Sequence, residues 1–211
     1  MTTRLVLATN NKEKFREIQE KLHPLPVVTL SLAEFPFVGE VEEDQPDLYG
    51  NAIKKATEVS ARTGEWALAD DTGLEVDALG GAPGVYAARY SGPGATYEAN
   101  CAKLLAEMEH VPDGKRQATF RTVICLRTHD GLYCVEGALP GTIGRERRGG
   151  NGFGYDPVFV LSDGRTLAEL DLTEKNRISH RGQALRKMAV WIREALASGG
   201  TLAYMKDDHG A

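Results

Sequence analysis

The chain has 211 residues, 42% of them hydrophobic and 26% charged, with a formal net charge of −5. That length gives one substantial core, or two lobes sharing one. The acid excess argues against nucleic-acid binding, which needs a basic face, so an anionic ligand would require cations gathered locally. No apolar run approaches the roughly 20 residues that span a bilayer, and the first residues show no signal-peptide pattern. Cys101, Cys125 and Cys134 lack framework or CxxC spacing. The expectation is three reduced, mostly buried thiols in a cytoplasm, and no zinc site.

A strand over residues 5–8 leads into Thr9, Asn10 and Asn11, which are good cap residues, and Phe15, Ile18 and Leu22 then recur at helical spacing. Pro24 and Pro26 stop that helix. Residues 27–30 read as a second strand, and an acidic loop over 40–46 precedes a helix over about 48–63 with Ala52, Ala56 and Val59 inward. A short apolar strand over 66–69 is expected to end at the adjacent carboxylates Asp70 and Asp71. After a glycine-rich connection, Cys101, Leu104, Leu105 and Met108 define an amphipathic helix. Residues 117–127 alternate as a strand, and His129-Asp130-Gly131 turns the chain into a β-hairpin. A loop over 149–154, a short strand over 157–161 and a long helix through Leu185, Met188, Ile192 and Leu196 complete the pattern, with Ser179 as a cap. The expected fold is α/β: a mixed, elongated central sheet with flanking helices and two lobes around a substrate cleft. Residues 1–199 read as a single domain and 200–211 as a flexible C-terminal tail.

Chemistry concentrates in five segments. Thr9, Asn10, Asn11, Lys12, Glu13 and Lys14 lie where a strand opens a helix. Unpaired backbone N–H groups and the helix dipole favour an anion there, and Lys14 can reach phosphate. Glu42 and Glu43 offer oxygen ligands in the acidic loop. Two adjacent carboxylates, Asp70 and Asp71, would repel one another unless neutralised, and a hard cation such as Mg2+ takes such ligands together with substrate phosphates. One of them could bind metal while the other holds or deprotonates a water. In the loop Phe153, Gly154, Tyr155 and Asp156, aromatic faces can stack on a base and the carboxylate can accept from base N–H groups. Lys175, His180 and Arg181 gather positive charge before the last helix. No nucleophilic Ser or Cys is placed with a His, which favours attack by water.

These segments together resemble the inosine triphosphatase or Ham1-like family of purine nucleoside triphosphate pyrophosphatases. The resemblance runs in order through Thr9, Asn11 and Lys14; Glu42-Glu43; Asn51-Ala52 with Lys55-Ala56; Asp70-Asp71-Thr72-Gly73-Leu74; residues 79–84 and 88–92; residues 153–157; and Ser179-His180-Arg181-Gly182. It implies a cytoplasmic homodimer that hydrolyses ITP, dITP and XTP to the monophosphate and pyrophosphate with Mg2+, or Mn2+ in its place. It implies Asp71 as proton acceptor and metal ligand, Glu42 or Glu43 as a further metal ligand, and residues 9–14 on the triphosphate. Thr72, residues 153–156, Lys175, His180 and Arg181 would contact the nucleotide. Two positions depart from the family: Gly50 stands where many relatives carry Glu, and Thr72 where Ser is common. A nucleotide sensor without catalysis would not need the four carboxylates. A Maf-like pyrimidine pyrophosphatase would not account for residues 153–156 and 179–181.

Overall fold

The computed structural model describes residues 2–199; the expected tail over 200–211 lies outside the described residues. In chain order the elements are β1 (Thr3–Leu7), α1 (Lys12–Leu22), β2 (Val27–Ser31), α2 (Leu48–Thr63), β3 (Trp66–Val76), β4 (Pro83–Gly84), α3 (Tyr97–Glu107), β5 (Gln117–Arg127), β6 (Leu132–Ile143), β7 (Phe159–Val160), α4 (Leu172–Ile178) and α5 (His180–Ala197). One mixed sheet runs β2-β1-β3-β5-β6-β7, with β4 added on β3. The β1 pairings are parallel and the rest antiparallel. No helix among the described residues is long and apolar enough to cross a membrane.

Strand alternation sorts the core. Leu5, Leu7, Trp66, Leu68, Ile124 and Leu126 face α1 and α5, packing on Ile18, Leu22, Leu185, Met188 and Ile192. Val6, Ala67, Ala69, Val123 and Cys125 face the other way, onto Ala52, Ala56 and Val59 of α2. Small residues on that inner face let α2 lie close to the sheet. A third cluster, with Leu74, Phe120, Ile143, Phe159 and the α3 residues Cys101 and Leu104, fills the far end of the long strands. The first two clusters make one lobe and the third makes the other.

The strand expected over 66–69 continues to Val76, so Asp70 and Asp71 lie mid-strand rather than at a strand end. Gly73 does not stop it. A side chain there would come within 2.8 Å of the Gly84 carbonyl, so glycine admits β4. The thiol expectation also fails for two of the three cysteines. The hairpin register sets Cys125 directly opposite Cys134, with Cα atoms 4.1 Å apart, and the pair forms a disulfide. Cys101 alone is a free, buried thiol.

Helix α5 rests on β6 at Gly137. A Cβ built there would lie 2.0 Å from the His180 carbonyl and 2.8 Å from the Ala184 nitrogen. Backbone-to-backbone contact therefore fixes where α5 begins, and with it His180 and Arg181. Gly137→Ala is expected to lower stability by about 1–3 kcal/mol, as overpacking does, read as a lower urea midpoint. An unchanged midpoint would contradict this docking.

Candidate active site

Asp70 and Asp71 are neighbours in sequence but not in space, because successive strand residues point to opposite faces. Asp70 shares its face with Thr72 and the start of α5. Its Oδ2 accepts from Arg181 Nη2 at 3.0 Å and Nε at 3.2 Å, pairs with Lys14 Nζ at 3.1 Å and accepts from the Thr72 hydroxyl at 3.2 Å. Burial alone would raise its pKa. Lys14, Arg181 and Lys55 outweigh burial and hold it far below the usual carboxylate range. Its other oxygen, Oδ1, is buried and makes no hydrogen bond among the described residues.

Asp71 faces α2. Its Oδ1 receives Lys55 Nζ at 3.2 Å and its Oδ2 receives Asn51 Nδ2 at 3.2 Å. Lys55 also donates to Glu43 Oε1 at 2.7 Å and to the Asp70 carbonyl at 2.7 Å. Asn51 and Lys55 are one helical turn apart, so α2 presents both to one strand residue. Burial, aided by the nearby Glu43 charge, keeps the Asp71 pKa raised despite Lys55. Lys55 itself stays protonated, since Asp71 and Glu43 overcome its desolvation. Of the two loop carboxylates, Glu43 thus converges with Asp71. Glu42 is exposed, though it lines the same cavity. Gly50 lies in the first turn of α2, its N–H capped by Asp47 Oδ1 at 2.7 Å.

No group of three His, Cys, Asp or Glu side chains gathers around one point among the described residues. The Asp71–Glu43 pair nevertheless fits a hard divalent cation. It supplies carboxylate oxygens only, and Mg2+ commonly takes one or two carboxylates with water and substrate phosphates.

The segment where the sequence predicts an anion is shaped by the cap of α1. Asn11 Oδ1 accepts from the Glu13 and Lys14 amides at 3.0 and 3.1 Å, and Thr9 Oγ1 accepts from the Asn11 amide at 3.1 Å. Thr9, Asn10, Asn11 and Lys14 line an open cavity of about 750 Å³ together with Glu42, Glu43, Lys55 and Arg89. Lys12 and Glu13 are exposed and line neither this cavity nor the slot beside it.

That second, narrower slot is lined by Asn11, Lys14, Thr72, Tyr97, Phe120, residues 153–156, Lys175, His180 and Arg181. Lys175 Nζ lies 4.6 Å and the Arg181 guanidinium 5.5 Å from the Phe153 ring centroid. His180 stacks on Phe120 at 4.6 Å and 13°. Burial, then Arg181 and Lys175, push its pKa well down, so the ring is neutral at pH 7. Its Nδ1 has no hydrogen-bond partner among the described residues.

Two expected base contacts are otherwise engaged. Tyr155 is buried in the second lobe's core and donates to the Ala87 carbonyl at 2.8 Å. Asp156 accepts from the Phe153 amide at 2.8 Å and from Lys175 Nζ at 2.6 Å. Of the five N–H donors of Arg181, four go to Asp70, Thr72 and Glu17. Glu17 escaped the sequence reading. It is 3% exposed and joins Lys175 at 2.8 Å to Arg181 at 2.6 Å. Its one sequence signal is its position beside Ile18 on the inner side of α1, one turn after Lys14.

Anion-binding groups at one end and aromatic and cationic groups at the other define a nucleotide-handling α/β protein. Residues 5–191 match the model of the Ham1 family, and the chain belongs to that family. It is 52% identical over 186 residues to the dITP/XTP pyrophosphatase of Desulforamulus reducens, covering 87% of this chain and 92% of that one. It is 55% identical over 185 residues to that of Geobacter sulfurreducens, covering 87% and 93%. The solved HAM1 protein of Coxiella burnetii superposes with a TM-score of 0.84 at 43% identity, covering 92% of this chain and all of that one.

The Asp70 pairings give a pH signature. A carboxylate whose folded pKa is depressed stabilises fully above its unfolded pKa of about 4 and loses that stabilisation as pH falls toward the folded value. Asp70→Asn leaves Arg181 and Lys14 without their shared carboxylate, and breaking such a buried pair costs about 3–5 kcal/mol. The deficit in denaturant unfolding should be full at pH 7 and shrink below about pH 4. A deficit independent of pH would contradict an ionised Asp70.

Proposed function

We propose that this chain hydrolyses the deaminated purine nucleoside triphosphates ITP, dITP and XTP to the nucleoside monophosphate and pyrophosphate. The observation that carries this reading is that the two cavities share Asn11, Lys14 and Ala88. One ligand can therefore lay its phosphates against the α1 turn and Glu43, which Lys55 joins to Asp71, while its base enters the aromatic slot.

Asp71 and Glu43 would hold Mg2+, or Mn2+ in its place; Glu42 stands further out. When bound, such an ion neutralises phosphate oxygens and acidifies water. Asp71, with its raised pKa, accepts the proton of the water that attacks the α-phosphorus, and pyrophosphate leaves. Lys55 holds Asp71 and Glu43 at a common point. Lys14 and the α1 N-terminus offset charge on the phosphates, as phosphoryl transfer demands.

The neutral His180 and Arg181 both line the slot that would take the base. A donor aimed at the 6-oxo group accepts hypoxanthine and xanthine and meets the 6-amino donor of adenine as a conflict. Thr72 reaches the slot with its hydroxyl tied to Asp70 and Thr122. Asp156 and Tyr155 act by shaping the Phe153 loop and Lys175.

The same reading makes residues 1–199 one catalytic domain and the protein a cytoplasmic homodimer. The disulfide removes the cysteine argument for a reducing compartment, so the cytoplasm rests on the location of nucleotide pools.

Reaction with ITP and Mg2+ in H2-18O should give pyrophosphate and IMP, with the label in IMP. Orthophosphate and IDP, or label in pyrophosphate, would overturn attack at the α-phosphorus. Asp71→Asn should lower kcat by about 100- to 10,000-fold, the usual worth of a general base, with the fold intact by circular dichroism. Retained turnover would remove Asp71 as the base.

A further inference from the structure

Asn11 makes one contact that holding phosphate does not require. Its Nδ2 donates to the Tyr97 hydroxyl at 2.7 Å, across 86 positions of sequence. Asn11 caps α1 in the first lobe, and Tyr97 is the first residue of α3 in the second. The bond therefore bridges the cleft where the two cavities meet. The Tyr97 ring lies 5.9 Å from the Phe153 ring, tilted by 39°, and lines the narrow slot.

Core packing does not explain this placement. Tyr97 is 37% exposed, whereas Cys101 and Leu104 of the same helix are fully buried. The helix is also tied down elsewhere: Asn100 donates to the Ala87 and Ala88 carbonyls and accepts from the Ser91 amide. An exposed aromatic ring turned into a ligand slot, opposite a ring already flanked by two cations, is arranged for a flat partner.

The dimensions agree. A base stacked on both rings needs about 6.8 Å between them, twice the 3.4 Å spacing of stacked nucleotides. The observed separation falls about 1 Å short of that, which a small swing of one exposed side chain supplies. The phenol oxygen accepts from Asn11, so its own proton is free to donate. Burial raises the phenol's pKa, which keeps that proton in place at neutral pH.

We propose that Tyr97 is a further substrate-binding residue: with Phe153 it forms a two-ring clamp on the purine base, and its hydroxyl, held by Asn11, ties the clamp to the phosphate-binding turn. This rests on the nucleotide reading above. Seating the base between the rings then couples its position to that of Asn11, and so to the α1 N-terminus that meets the phosphates.

The test is equilibrium titration, with Mg2+ present, of ITP made non-hydrolysable by an α,β-methylene bridge, for the wild type, Tyr97→Phe and Tyr97→Ala. Inorganic tripolyphosphate serves as a ligand without a base. Loss of one base–aromatic stack should weaken ITP binding by Tyr97→Ala about tenfold or more. Tyr97→Phe keeps the ring and loses the hydroxyl, so it should bind ITP about fivefold more weakly than wild type, the scale of one hydrogen bond. Tripolyphosphate should bind all three proteins alike, which a general disturbance of the fold would not allow. Equal ITP affinity of wild type and Tyr97→Ala would overturn the clamp and leave the nucleotide reading standing. Equal losses for ITP and tripolyphosphate would also overturn it. A wild-type protein that binds no ITP would overturn both.

Discussion

A β-strand cannot point two successive side chains the same way. At Asp70 and Asp71 that constraint divides one acidic dipeptide between two chambers. The α5 face receives a carboxylate locked among Lys14, Arg181 and Thr72. The α2 face receives one that shares Lys55 with Glu43. Mutual repulsion between the two aspartates is thus not the problem that their adjacency poses. Their carboxylates form ion pairs with different cations, Lys14 and Arg181 for Asp70 and Lys55 for Asp71.

The electrostatics follow that division. On the α5 face, Asp70 and Glu17 are both held ionised, and together they position Arg181 and Lys175 beside Phe153. These are buried pairs whose merit is orientation, since burying charge gains little net stability. On the α2 face, burial and Glu43 lift Asp71, so it keeps proton affinity that Asp70 has lost. Under the proposed function, a site that holds nucleotide and moves a proton needs those opposite settings.

Much of the layout is legible in the sequence. The periodicity of 117–127, the caps before α1 and α5 and the apolar stripe of α2 all appear in the structure where local pattern puts them. The failures other than the disulfide share one cause: each depends on a partner outside the local pattern. The strand over 66–69 reads as ending at Asp70 and Asp71 because its pairing beyond them, with β4 and β5, is not visible locally. Glu17 carries no local sign of its role because Arg181 lies 164 positions away. Tyr155 and Asp156 read as base contacts because their real partners, Ala87 and Lys175, arrive through tertiary packing. The disulfide was within reach. The turn at His129-Asp130-Gly131 sets a hairpin register, and that register pairs Cys125 with Cys134.

The division of the aspartate pair is tested most directly by carbon-13 NMR titration of the side-chain carboxyl groups in the metal-free protein. Asp71 should titrate above the ordinary aspartate value of about 3.9, and Asp70 should remain ionised to the lowest pH at which the protein is folded. Two aspartates titrating together near that value, or Asp70 protonating before Asp71, would contradict it.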